Sequence, residues 1–152
     1  MKKTINKKLV LAQLAGLVKD EPNWIANLSN ASALLNDILD DINWVGFYLW
    51  EDASEQLVLG PFQGKVACIR IDSGKGVCGT AFEREETIIV SDVNEFPGHI
   101  VCDAASQSEI VVPLIKDGKV IGVLDVDAPI KDRFGEDEKE LLEAFVDVLL
   151  NN

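Results

Sequence analysis

The first part of the chain carries two apolar stripes with helical spacing. The first stripe predicts an N-terminal helix for which Thr4 can serve as the cap; its apolar positions are Ile5, Leu9, Leu14, Leu17 and Val18. The second stripe predicts a helix that continues past the Asp40-Asp41 pair; its apolar positions are Trp24, Leu28, Ala31, Leu35, Ile38 and Ile42.

After these stripes the pattern changes to the alternation and the β-branched content that are typical of strands. Three segments, residues 44–50, 56–59 and 66–71, predict an antiparallel meander. The glycines of Gly74-Lys75-Gly76 then lead into a predicted short helix over residues 77–82 and a strand over residues 87–91.

Residues 110–115 and 120–126 predict two further strands joined at Asp117-Gly118, a dipeptide typical of tight hairpins. Pro113 lacks a backbone donor and therefore predicts a sheet edge or a bulge. A last stripe predicts a C-terminal helix over residues 132–151. N- and C-terminal helices around a central, mainly antiparallel sheet predict an α+β fold with a single domain over residues 1–152.

The composition is that of a folded acidic domain. The chain has 152 residues, of which 47% are hydrophobic, enough for a core. Its 26 acidic and 14 basic residues give a net charge of −12, which argues against nucleic acid and anionic membranes as partners. We recognise no signal peptide and no apolar run of the roughly 18 residues that a membrane span needs. We therefore expect a cytoplasmic protein whose thiols stay reduced unless a reaction oxidises them.

The three cysteines and the one histidine of the chain all lie between positions 68 and 102. Cys102 lies on a long polar connection, residues 92–107, and loops of that length are commonly functional. A protonated His99 would lower the pKa of Cys102 and favour its thiolate, whereas Asp103 would raise it. Cys78 falls near the start of a predicted helix, where free N–H groups also favour a thiolate.

The residues alone leave several uses of the thiols open. Three cysteines and a histidine can form a Cys₃His zinc site, although only His99 and Cys102 have the close spacing usual for structural zinc. A Cys–His nucleophile would need an oxyanion hole, which the sequence does not locate. Cys68, in a predicted strand, is equally compatible with a buried apolar role. Redox use explains more, because an oxidised thiol can condense with a second thiol to a disulfide.

Acidic residues form a second candidate group. Strand alternation places Asp125 and Asp127 on one face, together with Ile121 and Val123. On a solvated face these acids would be ordinary surface residues. In a pocket, neighbouring carboxylates would raise one another's pKa, and one of them could donate a proton near neutral pH. Glu109 can join this group.

Two aromatic residues can accompany the acids. Trp44 and Tyr48 are four residues apart on a predicted strand, so their rings project to the same face. Such a pair packs in the core of many proteins, and here it can also wall a small pocket.

Four motifs in the same order carry a resemblance to a known family: Gly60-Pro61-Phe62-Gln63-Gly64-Lys65, Gly74-Lys75-Gly76-Val77-Cys78-Gly79, Phe96-Pro97-Gly98-His99-Ile100-Val101-Cys102-Asp103 and Ser106-Gln107-Ser108-Glu109-Ile110. All three cysteines are in register, and the Asn43-Trp44-Val45-Gly46-Phe47-Tyr48 strand and the hairpin with the two aspartates also match. The chain resembles the free methionine-(R)-sulfoxide reductases, which are GAF domains.

The resemblance implies that the chain reduces free methionine sulfoxide with its thiols. Cys102 corresponds to the catalytic cysteine, which becomes a sulfenic acid, and Cys68 to the main resolving cysteine, which closes a disulfide with it. Cys78 corresponds to a third redox thiol. Thioredoxin is the implied electron donor, and neither a metal nor an organic cofactor is required. A homodimer is a further expectation, since such domains commonly pair.

The resemblance also implies how the substrate is held. Glu109, Asp125 and Asp127 correspond to the acids that bind its ammonium group, and Glu109 and Asp127 are the candidates for protonating the sulfoxide. Trp44 and Tyr48 correspond to aromatic residues around its methyl end. The competing hypothesis is a non-catalytic GAF sensor module that binds a small ligand, because this fold hosts many binding functions.

Overall fold

The computed structural model describes residues 4–100, 102 and 104–151. Across these residues the chain forms four α-helices, six β-strands and a 3₁₀ helix over Val93–Glu95. The helices are α1 (Lys7–Val18), α2 (Trp24–Ile38), α3 (Gly76–Arg84) and α4 (Glu136–Leu150). The strands are β1 (Trp44–Glu51), β2 (Gln56–Gly64), β3 (Arg70–Asp72), β4 (Ile88–Val90), β5 (Ser108–Lys116) and β6 (Lys119–Ala128). Within the described ranges, no helix is long and apolar enough to cross a membrane.

The strands form one sheet in the order β3-β2-β1-β6-β5-β4, and each strand runs antiparallel to its neighbours. Helices α1, α2 and α4 cover one face, where they enclose the larger core. Its members include Leu14, Leu28, Leu35, Phe47, Ile110, Leu124, Leu142 and Phe145. This arrangement confirms the predicted α+β class, with helices from both ends of the chain packed on a central sheet.

The start of α1 differs from the prediction. The cap is Asn6, whose side-chain oxygen accepts a hydrogen bond from the backbone N–H of Leu9 at 3.1 Å. The predicted cap, Thr4, is wrong because Asn6 provides that acceptor at the residue that directly precedes the helix. Asn23 caps α2 in the same way, accepting from Ala26 at 2.9 Å.

The end of α2 also differs. The helix stops at Ile38 and does not continue past the Asp40-Asp41 pair. Asp41 takes a left-handed φ of 55°, and the carbonyl of Asp40 accepts two hydrogen bonds from the Arg133 side chain, at 2.8 and 3.0 Å. The chain leaves the helix here because this turn gives the Asp40 carbonyl its partner and directs β1 into the sheet.

The hairpin between β5 and β6 turns at Asp117-Gly118, as predicted. Both residues have positive φ, 53° and 77°, which is the conformation that a two-residue hairpin prefers. Pro113 lies on β5 beyond Val111, where the pairing with β4 stops, and the register shifts after Leu114. The predicted edge or bulge is therefore found next to the proline.

The bulge changes the face of Ile121. Leu114 pairs with Gly122 and the next residue of β5 pairs with Val120, so Ile121 is the extra residue. Ile121 packs against the larger core, whereas Val123 lies on the opposite face. The prediction that Ile121 shares the face of the two aspartates is wrong because the bulge interrupts the alternation.

Residues 66–69 do not form the predicted strand. β3 is restricted to Arg70–Asp72. The carbonyls of Lys65 and Cys68 accept hydrogen bonds from the side chains of Trp44 and Tyr48, which takes this segment out of the ladder. Cys68 therefore lies on a loop, and the prediction that placed it in a strand is wrong.

The second face of the sheet is covered by α3 and by the loops that precede β3 and β5. It holds a smaller core, whose members include Trp44, Tyr48, Leu57, Ile71, Val77, Ala81, Val111 and Val123. Gly46 lies in this face, where a Cβ atom would overlap the Cβ and Cα atoms of Phe62. Glycine is needed here because β2 approaches β1 so closely.

We expect Gly46→Ala to destabilise the protein by about 1–3 kcal/mol, the usual cost of overpacking. Thermal unfolding checks this, since each kcal/mol lowers the midpoint by roughly 2–4 °C in a domain of this size. The matched control is Gly16→Ala on α1, where an added Cβ atom meets nothing within 4 Å. The control should be neutral or stabilising by about 0.5–1 kcal/mol, and equal midpoints for the two variants would contradict the close approach.

Candidate active site

A row of side chains crosses four strands on the face of the sheet that holds the smaller core, called the smaller face below. Trp44 on β1 pairs with Asp127 on β6, Asp127 pairs with Glu109 on β5, and Glu109 pairs with Val90 on β4. Directly opposed residues have Cβ atoms about 4.5–5.5 Å apart, so Glu109 and Asp127 lie side by side. Asp125 lies two residues before Asp127 and shares its face. The pairing of β5 with β6 thus brings Glu109 to the predicted pair of aspartates.

The three carboxyl groups are buried, with exposures of 6% for Glu109, 5% for Asp125 and 9% for Asp127. Burial raises the pKa of Glu109 well above its ordinary value, and the charges of Asp125 and Asp127 raise it further. Burial also raises the pKa of Asp125, although hydrogen bonds with Glu109 and Cys78 oppose that shift. Both effects favour the protonated form of Glu109, which forms hydrogen bonds with Asp125 and Asp127.

Cys78 lies in the first turn of α3, and its side chain contacts the acids. Burial raises the pKa of its thiol well above the ordinary value, and the neighbouring carboxyl groups of Asp125 and Glu109 add to the shift. The prediction that the helix start favours a thiolate is wrong here, because burial and the acids outweigh the helix N–H groups. Cys78 is instead a protonated thiol hydrogen-bonded to Asp125.

The same three residues could hold a metal ion. The Cys78 sulfur and one carboxylate oxygen each from Glu109 and Asp125 all lie within 4.8 Å of one another. A metal would have to displace the protons that burial favours on these groups. The Oδ1 atom of Asp125 is buried and has no hydrogen-bond partner among the described residues, so the cluster can accept a donor or a cation from a ligand.

Cys68 and Cys102 are joined by a disulfide, with their Cα atoms 5.4 Å apart and 34 residues between them in the sequence. Both are half-buried, on the loops that close the smaller face. In this state two of the four potential zinc ligands are not available as thiolates. The predicted influence of Asp103 on Cys102 falls outside the described residues.

Trp44 and Tyr48 lie beside the acids and line the same cavity. The rings of Trp44 and Tyr48 are stacked with centroids 5.9 Å apart, and the rings of Trp44 and Phe62 are stacked with centroids 5.1 Å apart. The Trp44 indole N–H donates to the carbonyl of Lys65 at 3.1 Å, and the Tyr48 hydroxyl donates to the carbonyl of Cys68 at 2.8 Å. Burial raises the pKa of Tyr48, so its hydroxyl keeps its proton.

His99 contacts the acids. Its Nε2 atom lies 3.9 Å from Oε1 of Glu109. Burial lowers the pKa of His99 and raises that of Glu109, so both shifts favour the neutral forms of the pair. The structure therefore does not favour the protonated His99 that the sequence suggested as the activator of Cys102.

These groups surround a cavity of about 50 Å³. All the predicted site residues except Cys68 line it, and Cys68 is bonded to one that does. Sequence reasoning missed Lys75 and Gly76, at the start of α3, and Ser106, to which the Asn43 amide donates at 3.0 Å. The Gly74-Lys75-Gly76 run before a helix was the signal that could have found the first two.

Comparison with known proteins agrees with this geometry. The GAF domain family matches residues 25–150. The free methionine-R-sulfoxide reductase of Saccharomyces cerevisiae is 51% identical over 91% of this chain and 83% of its own, and that of Escherichia coli is 52% identical over 86% and 78%. The structure of fRMsr of Staphylococcus aureus in complex with substrate has a TM-score of 0.93 and 56% identity, covering 99% of this chain and 97% of that one. The chain therefore belongs to the GAF domain family and, within it, to the free methionine-R-sulfoxide reductases.

Proposed function

We propose that this protein reduces free L-methionine-(R)-sulfoxide to L-methionine. The proposal is carried by one observation: Cys102 and three buried carboxyl groups line the same cavity. Reduction of a sulfoxide needs a nucleophile at its sulfur and a proton donor at its oxygen, and these residues can supply both. The identity of more than half to the yeast and bacterial reductases supports the same activity.

In the first step the Cys102 thiolate attacks the sulfoxide sulfur while Glu109 donates a proton to the sulfoxide oxygen. Glu109 is the donor because burial and the neighbouring aspartates hold its pKa well above the ordinary value. The oxygen passes to Cys102, which becomes a sulfenic acid, and methionine leaves. The cysteine sulfur is oxidised by two electrons and the methionine sulfur is reduced by two.

In the second step the Cys68 thiol attacks the sulfenic acid of Cys102, which forms the disulfide and releases water. The bond between these two sulfurs supports Cys68 as the resolving cysteine. Cys78 is the weaker candidate, since burial raises the pKa of its thiol and removes the thiolate that attack requires. Its role as a third redox thiol stays a prediction.

The two ends of a free amino acid match two parts of the cavity. The ammonium group is assigned to the acid cluster, where Oδ1 of Asp125 lacks a hydrogen-bond partner among the described residues. The carboxylate is assigned to the start of α3, where Lys75 and Gly76 line the cavity and the helix N–H groups favour an anion. Trp44 and Tyr48 are left for the methyl end. A peptide-bound residue lacks both charged groups, so the free amino acid is preferred.

We propose thioredoxin as the electron donor, because the cycle ends in a disulfide that an external dithiol must reduce by thiol exchange. Both cysteines of that disulfide are half-buried and not fully enclosed, which supports access from one side. The chemistry uses sulfur and carboxyl groups of the chain. The homodimer that the resemblance implies stays a prediction.

We expect thioredoxin-coupled turnover of free L-methionine-(R)-sulfoxide, with little turnover of the S epimer or of peptide-bound sulfoxide. Cys102→Ser should lower turnover by at least about a thousandfold, because it removes the nucleophile, and should still bind the substrate in calorimetry. An inactive wild-type protein that binds a small ligand tightly would favour the sensor hypothesis. Activity that survives in Cys102→Ser would contradict the proposed mechanism.

We expect the stability advantage of Glu109→Gln over the wild type to grow with pH. An unfolded glutamate ionises near pH 4.3, whereas the folded wild type keeps the Glu109 proton to higher pH. The wild type therefore loses stability as pH rises above about 4.3, and glutamine, which cannot ionise, does not share this loss. Thermal unfolding at a series of pH values should show nearly equal midpoints at about pH 4 and a higher midpoint for the variant at about pH 8.

The control is Glu86→Gln, which removes an exposed carboxylate. It should leave the midpoint difference independent of pH. The Glu109→Gln variant should also lose turnover, because an amide is a far weaker acid than a carboxyl group. A difference between Glu109→Gln and the wild type that stays constant with pH would show that Glu109 is ionised in the folded protein.

A further inference from the structure

Two ring donors hold the loop that carries Cys68. The indole N–H of Trp44 donates to the carbonyl of Lys65 at 3.1 Å, and the hydroxyl of Tyr48 donates to the carbonyl of Cys68 itself at 2.8 Å. Both donors come from β1, and their rings are stacked with centroids 5.9 Å apart. The two bonds therefore fix both ends of the segment 65–68 to one rigid strand.

In this segment Ala67 packs against the smaller core, but the side chains on either side of it contribute little. Val66 is 88% exposed and Ile69, directly after Cys68, is 66% exposed. Exposed side chains contribute little burial energy, so they do not hold a loop in one position. The backbone of Ile69 is tied to β2 through a hydrogen bond from Leu59 at 2.9 Å. Between that point and the end of β2, the two ring donors hold the backbone, beside the packing of Ala67.

We propose that Tyr48 and Trp44 are positioning residues that hold Cys68 within reach of Cys102 for disulfide closure. The proposal rests on the proposed function, which assigns these rings to the methyl end of the substrate. It gives the same two residues a second role. In the closing step, Cys68 attacks the Cys102 sulfenic acid, an S–S bond forms, the S–O bond breaks and water leaves. The rate of such an intramolecular step depends on how often the two sulfurs meet.

The geometry agrees with this role. The Cα atoms of Cys68 and Cys102 are 5.4 Å apart, within the range that a disulfide requires. Movement of Cys68 by a few ångströms would take the sulfurs out of bonding distance. The bond from Tyr48 ends on the carbonyl of Cys68 itself, so it restrains the residue whose position matters. Burial keeps the Tyr48 hydroxyl protonated, so it can donate throughout the reaction.

The test is a single turnover of the reduced protein with free L-methionine-(R)-sulfoxide, stopped at a series of times. Methionine released reports the first step, and disulfide formed reports the second. Tyr48→Phe keeps the ring and removes only the hydroxyl. We expect it to slow the second step by about threefold to tenfold, the effect of one lost hydrogen bond. The sulfenic acid of Cys102 should then accumulate, and a carbon nucleophile such as dimedone should trap it.

Disulfide closure begins after methionine has left, so its rate constant separates positioning from substrate binding. Trp44→Phe removes the second donor and should slow closure as well. The matched control is Trp50→Phe on the same strand, because the Trp50 indole N–H donates to the side chain of Asp52 at 2.9 Å and not to the Cys68 loop. Trp50→Phe should leave the closure rate unchanged.

Three results would overturn the proposal. Closure at the wild-type rate in both Tyr48→Phe and Trp44→Phe would show that the ring donors do not position Cys68. Equal slowing in Trp50→Phe would show a general effect of changing β1. A wild-type protein that releases no methionine would remove the proposed function, and the positioning role with it, and is distinguished by the missing first step.

Discussion

Three carboxyl groups lie side by side on one face of the sheet, and their burial determines what the site can do. Carboxylates taken out of water lose hydration, and neighbouring ones repel each other, so the folded protein favours the protonated forms of Glu109 and Asp125. Glu109 is the clearest case, with its pKa well above the ordinary value. The cluster can therefore give a proton to an oxygen. It can also bind an ammonium group, whose positive charge compensates for the hydration that the carboxyl groups lose on burial.

The same surroundings separate the three thiols. Cys78 lies against the acids and is held as a buried, protonated thiol, whereas Cys68 and Cys102 lie half-buried on loops at the rim. Oxidation by a substrate and reduction by an external dithiol both need access to the sulfur, so the accessible pair Cys68 and Cys102 suits that chemistry. The larger core, on the opposite face, supplies the rigid support on which these loops and acids are placed.

The parts that could be predicted from the sequence depend on local chemistry. Asp117-Gly118 marked its hairpin because both residues tolerate positive φ. Alternation placed Asp125 and Asp127 on one face, and it failed at Ile121 because a bulge needs a partner strand to be recognised. Cys68 was placed in a strand because the segment around it contains the β-branched residues Val66, Ile69 and Ile71. The carbonyls around it bond instead to side chains about 20 residues away, which no local pattern reports.

The most direct measurement is the map of thiols and disulfides after one turnover of the fully reduced wild-type protein, made by mass spectrometry of its peptides. With free L-methionine-(R)-sulfoxide as the oxidant, one methionine should form for each Cys68–Cys102 disulfide, and Cys78 should remain a thiol. A first disulfide that contains Cys78, or methionine released with all three cysteines still reduced, would contradict the account.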